Sequence, residues 1–133
     1  MERIYTSPFY TIDWIASDTM FEFHFIDTTN MSWKDFQKEL LLQVKFAHKY
    51  QPKYFFFDTQ NFDFTIAPDM QDWIDTNIFA EFVKAGVVKY AYMVSKELIS
   101  QLSIELLMDE NVGKYFKTEY FTSEEEAKKW LLS

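Results

Sequence analysis

The sequence predicts a single α/β domain over residues 1–133, a mixed β-sheet of about five strands packed against helices in the order ββαβαβαβα. Three observations lead there. Two early stretches alternate apolar and polar residues. Two later ones, YFFF and VVKYAYMV, are apolar on both faces. The segments between carry apolar residues at helical spacing behind recognisable N-caps.

Phe9 to Ala16 sets Tyr10, Ile12 and Trp14 against Thr11 and Asp13, and Met20 to Ile26 sets Phe21, Phe23 and Phe25 against Glu22 and His24. With a turn at Ser17-Asp18, the two runs read as an antiparallel pair near a sheet edge, with one wetter face. Ser32 can N-cap a helix whose stripe is Trp33, Phe36, Leu40, Val44 and Ala47, and Asp35 adds negative charge at its positive end. Pro52 stops that helix, because proline disfavours the α conformation in the residue before it. Lys53 to Asp58 then fits a central strand covered on both faces.

Pro68 suits the first turn of the next helix, whose stripe is Met70, Trp73, Ile74, Ile78 and Phe82. Thr76-Asn77 is a point where it can bend or divide, and Gly86 is a natural left-handed stop. Val87 to Val94 predicts another interior strand, so strand, helix and strand form a βαβ crossover. A helix capped by Ser95 follows, with Leu98, Ile99, Leu102 and Leu106 facing in and a stop at Asn111 to Gly113. Tyr115 to Phe121, with charged Lys117 and Glu119, suits an edge strand. A last helix starts at Thr122 or Ser123 and buries Ala127, Trp130 and Leu131.

Composition narrows the function. The aromatic share is 20%, with 15 Phe, 8 Tyr and 4 Trp, so the core should be large and ring-rich. A formal charge of −8 disfavours nucleic acid and anionic lipid surfaces as partners. With no cysteine there is no thiolate nucleophile, disulfide or Cys-ligated zinc, which is compatible with a reducing compartment. No apolar run approaches the roughly 18 residues of a membrane span, and the first ten residues lack a signal-peptide core, so the expected setting is cytoplasmic without stable membrane insertion.

The central FFFDT strand end, the segment IAPDMQDWI, the run GVVKYAYMV and the closing FTSEEEAKKWL resemble the bacterial SpoIIAA-like proteins. These belong to the wider STAS group, whose fold is also compared to Sec14-type lipid-binding domains. The resemblance implies a mixed-sheet fold and a regulatory or ligand-binding role without catalysis. Anti-anti-sigma members carry a phosphorylatable serine in an Asp-Ser-Ser-Gly context at the start of the helix after the central strand. The matching stretch here, Phe62 to Asp69, lacks that motif, and Thr65 is its nearest hydroxyl.

The candidate partner- or ligand-binding residues are Asp58, Thr59, Phe62, Phe64, Thr65 and Trp73, at the end of the central strand and along the loop and helix start beyond it. Ligands in open α/β sheets bind beyond the carboxyl ends of strands, which singles out Asp58; the alternative is an Asp that caps its own loop. Phe55, Phe57, Phe62, Phe64 and Trp73 either fill core or line an apolar pocket, and Phe62 and Phe64, if exposed, form a contact patch. Asp58, Asp63, Asp69 and Asp72 lack the spacing of a calcium loop, and Asp69 and Asp72 already complement a helix dipole, so no metal or other cofactor is expected. His24 reads as a residue of the wetter sheet face and His48 as a charge-tunable group at a helix end.

With no nucleophile elbow, P-loop, dinucleotide fingerprint or triad spacing, the chain is expected not to be an enzyme. The leading expectation is a regulatory or protein-interaction module. The alternative is a carrier or sensor of a small apolar or lipid-like ligand held between sheet and helices.

Overall fold

A computed structural model describes residues 1–95 and 115–133. Its strands are β1 (Glu2–Thr6), β2 (Tyr10–Ile15), β3 (Met20–Phe25), β4 (Tyr54–Asp58), β5 (Lys89–Met93) and β6 (Lys117–Phe121). Helix α1 (Trp33–Tyr50) joins β3 to β4. Between β4 and β5 run α2 (Pro68–Ile74), a π-helical segment (Asp75–Phe79) and α3 (Ala80–Ala85), and α4 (Glu124–Leu131) follows β6. The expected helix after Ser95, with its stop at Asn111 to Gly113, lies outside the described residues.

All six strands form one mixed sheet whose spatial order is the chain order, β1-β2-β3-β4-β5-β6. The first three pair antiparallel and the last four parallel. The period-two runs therefore divide their side chains between two faces. Phe21, Phe23, Phe25, Phe55, Phe57 and Tyr90 join Phe36, Leu40 and Ala47 of α1 and Ile74, Ile78 and Phe82 of the second helical stretch in one core. On the other face, Met20, Phe56 and Ala91 pack against Ala127 and Leu131 of α4.

Register turns this pattern into stacking. Phe23 pairs with Phe57, which pairs with Tyr92, while Phe21, Phe55 and Tyr90 form the neighbouring row. Phe57 lies between Phe23, at 4.2 Å and 1° between ring planes, and Tyr90, at 4.4 Å and 14°. Tyr90 in turn stacks on Phe116 at 4.8 Å and 8°. Offset contacts of this kind add roughly 0.5–1.5 kcal/mol per pair beyond the area they bury.

Local signals set the helix ends. The Ser32 hydroxyl accepts from Asp35 N at 3.0 Å while the Asp35 carboxylate accepts from Ser32 N at 3.0 Å, a reciprocal capping box. Gln51 takes the left-handed conformation just before Pro52 and closes α1. Thr76 and Asn77 fall within the π-helical segment, and the Asn77 amide donates to Trp73 O at 2.9 Å, occupying a carbonyl beside the widened turn. Gly86 ends α3 at φ 106°.

Three expectations need correction. The sheet has six strands rather than about five, because MERIYT supplies β1: a bulge between Arg3 and Tyr5 leaves Ile4 and Tyr5 both packed on the core, which erases the period of two. The β2–β3 pair consequently sits one strand in from the edge. Its polar face is not wet either, since Thr11, Asp13 and Glu22 are buried. Finally, the stripe of the second helical stretch is carried by Ile74, Ile78 and Phe82, whereas Met70 and Trp73 are only half-buried.

Phe55 is fully buried and touches rings from three other elements, Phe21, Phe82 and Tyr90. Phe55→Ala is expected to cost about 3–5 kcal/mol by urea denaturation. A Cβ added at Gly86 meets nothing within 4 Å, so the cost of Gly86→Ala comes from the positive φ alone and should be about 1–2 kcal/mol in the same assay.

Candidate ligand-binding site

Parallel pairing of β3 to β6 brings four strand ends, Phe25, Asp58, Met93 and Phe121, to one edge of the sheet. The loop after β4 is fastened there from both sides. Thr59 N and Thr59 Oγ1 both donate to Met93 O, at 3.1 and 2.9 Å, tying the loop to β5. Asn61 Nδ2 donates to Phe25 O at 3.2 Å and Asp63 N to Thr28 Oγ1 at 2.7 Å, tying it to β3 and to the connection beyond β3. Phe62 N donates to Thr59 O at 3.0 Å, which turns the chain so that Phe62 leans inward on Phe25 and Phe36.

Beneath this loop is a cavity of about 350 Å³. Its floor is Phe25, Phe57, Tyr90, Tyr92 and Tyr120 of the sheet. Its walls are Leu40, Ile74 and Phe79 of the helices, and its rim includes Thr59, Phe62 and Ile66. None of the described lining residues is charged. Gln71 also lines it, with its amide Nε2 donating to Asp75 Oδ1 at 2.8 Å. The Tyr90 and Tyr92 phenols are driven well above the ordinary phenol range, first by burial and then by neighbouring phenols, so both keep their protons.

The six sequence candidates do not form one site. Thr59 and Phe62 line the cavity. Phe64 packs outside it, on Phe36 at 5.2 Å and on Trp33, and Trp73 meets Trp33 at 5.5 Å and 83°. Phe62 and Phe64 are both half-buried and pack against the core. Thr65 is exposed. Asp58 accepts from Gln60 N at 3.2 Å, as a loop-capping Asp does, and its other oxygen lies 3.6 Å from His24 Nδ1 on the opposite face. Sequence reasoning missed Tyr90, Tyr92, Tyr120, Phe79 and Gln71; the alternation of Tyr90 and Tyr92 in VVKYAYMV was their available signal.

On the opposite face, one ligand atom each from Asp13, Glu22 and His24 falls within 4.8 Å of the others. These carboxylates already have cations. Arg3 Nε donates to Asp13 at 2.8 Å, and Lys128 of α4 pairs with Glu22. His24 Nε2 lies 3.6 Å from Glu22 Oε2, so the cluster runs from Asp13 and Arg3 through Glu22 to Lys128, His24 and Asp58, clasping α4 to the sheet. The acids Asp63, Asp69 and Asp72 are exposed and do not gather with Asp58 around one point. His48 Nε2 meets Glu81 Oε2 at 2.9 Å, linking α1 to α3.

No protein-family model, curated protein or solved structure matches this chain. No helix among the described residues is long and apolar enough to cross a membrane.

The Glu22 carboxylate, 3.6 Å away, raises His24 above its ordinary 6.5, with the charge of Asp58 adding and burial opposing. For Glu22, burial alone would raise the carboxyl, but His24 and Lys128 together outweigh it and hold it below 4.5. Stability from protonated His24 is thus fully present below pH 6.5 and lost as pH rises through the folded value above it. That from ionised Glu22 is present above pH 4.5 and lost as pH falls through its lower folded value. The urea midpoint of the wild type should exceed that of His24→Gln most between about pH 5 and 6.5 and least near pH 8.5. A margin independent of pH over that range would refute the assignment.

Proposed function

We propose that this protein is a non-enzymatic binding module that takes a small, predominantly apolar ligand into the cavity beneath the 59–66 loop, as a carrier or sensor. The observation that carries this reading is an apolar space of about 350 Å³ at the carboxyl ends of parallel strands. Ligand pockets begin at roughly 300 Å³, and a cavity of about 150 Å³ already accepts benzene. In an open α/β sheet this is also the edge where ligands collect. Binding fits the lining better than catalysis does, since the described residues supply no charged acid or base and both interior phenols stay protonated.

The SpoIIAA-like resemblance belongs to the same reading. A six-stranded mixed sheet with helices on both faces is compatible with it, and a fold compared to Sec14-type lipid-binding domains suits an apolar cargo. A protein-contact role keeps one specific support, the half-exposed cluster of Trp33, Phe64 and Trp73 beside the loop. Contact there and ligand binding beneath the loop are compatible, because one loop borders both.

Ile66 is half-buried at the cavity rim, so a larger side chain there can fill the space without displacing fully buried core. Ile66→Trp should weaken binding of an uncharged fluorescent probe such as Nile red by about tenfold or more while changing stability by less than about 1.5 kcal/mol. Failure of the wild type to bind any uncharged apolar probe would remove the reading.

A further inference from the structure

The walls of the cavity restrict the ligand further than volume and polarity do. Phe57 and Tyr90 have both ring faces occupied by stacked neighbours, and Tyr92 stacks on Tyr120 at 5.1 Å and 15°. Rings that spend their faces on one another offer rims and hydroxyls to whatever enters. An aromatic rim is the positive part of the quadrupole, so these rings do not make the cage of π faces that a cation needs. An anion fares worse. No described lining residue is cationic, and the Asp75 carboxylate is close enough to raise the Tyr92 phenol further.

What the cavity does offer on its sheet side is the Tyr92 hydroxyl as a donor. Thr59 spends its hydroxyl proton on Met93 O, and the Gln71 amide spends one of its two hydrogens on Asp75. Tyr90 and Tyr92 lie side by side, ring centroids 4.8 Å apart, and both line the cavity. Among the described residues no acceptor takes the hydrogen of the Tyr92 hydroxyl, and Tyr92 keeps partial accessibility because it faces the cavity.

We propose that the cavity selects an uncharged ligand with a flat apolar body and one hydrogen-bond acceptor, such as an aromatic ketone or aldehyde, the acceptor binding the Tyr92 hydroxyl. This rests on the ligand-binding reading above. The flat body slides between the stacked rim of the sheet and the side chains of Leu40, Ile74 and Phe79, and the acceptor takes the hydrogen bond that the Tyr92 hydroxyl has to give.

The test is a matched series on the full-length protein, with affinities read from ligand-induced NMR shifts. The members are acetylnaphthalene, ethylnaphthalene, naphthoate and naphthyltrimethylammonium. Acetylnaphthalene should bind roughly five- to tenfold more tightly than ethylnaphthalene, and both ions at least about a hundredfold more weakly than the ketone. In Tyr92→Phe the preference for ketone over hydrocarbon should vanish while ethylnaphthalene binding stays the same. Equal affinity of the wild type for ketone and hydrocarbon, or tighter binding of either ion, overturns the proposal and leaves the apolar-ligand reading standing. If no member of the series binds, both fall together.

Discussion

Stacking across the parallel strands is the constraint from which the rest of the structure follows. The row Phe23, Phe57, Tyr90 and Phe116 is a nearly continuous pile of rings running across the sheet, with separations of 4.2, 4.4 and 4.8 Å. Such a pile holds only if the strands keep their register, because a slip of one residue would turn every ring to the other face. It also stiffens the sheet at the place where the loop after β4 attaches. The helices must then accommodate a surface of rings standing upright, and rigid rings fill irregular space less completely than flexible aliphatic chains.

The cavity can be seen as the remainder of that accommodation. Ile78 and Phe82 reach the sheet and are fully buried, while one turn earlier Gln71 and Ile74 stand at the cavity wall. Ile78 belongs to the π-helical segment that follows Ile74, and features of this kind are common beside functional sites. Above, the loop is held by bonds from Thr59 to Met93 and from Asn61 to Phe25, so its backbone spans the gap without filling it.

Much of the fold was legible in the sequence because its strongest signals are local. Ser32 with Asp35, Pro52, Pro68, Gly86 and Ser123 each mark a boundary by backbone chemistry that acts within a few residues. β1 was illegible for an equally local reason, since its bulge cancels the alternation by which strands are recognised. The site was less legible. Thr59 and Phe62 follow a strand end and could be picked out by position. Tyr92 and Tyr120 reach the same space from strands that meet only through sheet register, and Phe79 arrives through an irregular helix. Asp58 stands at the same strand end but turns toward His24 on the opposite face, and a carboxylate next to a loop does not reveal which face its strand gives it. The burial of Asp13 and Glu22 depended on Arg3 and on Lys128, far apart in sequence.

The strand order also bears on how the molecule is made. Because the spatial order of the sheet is the chain order, no strand has to be inserted between two others already paired. Each hydrogen-bonded edge is offered to the segment that follows it in the sequence. On a ribosome, where the chain emerges from its N-terminus, β1, β2 and β3 can pair before α1 and β4 have been synthesised, and every later strand extends an existing template. Pairing neighbours in sequence keeps the loops to be closed shorter than an interleaved strand order would, in a sheet with three parallel and two antiparallel pairings. The arrangement lets synthesis and folding proceed in the same direction.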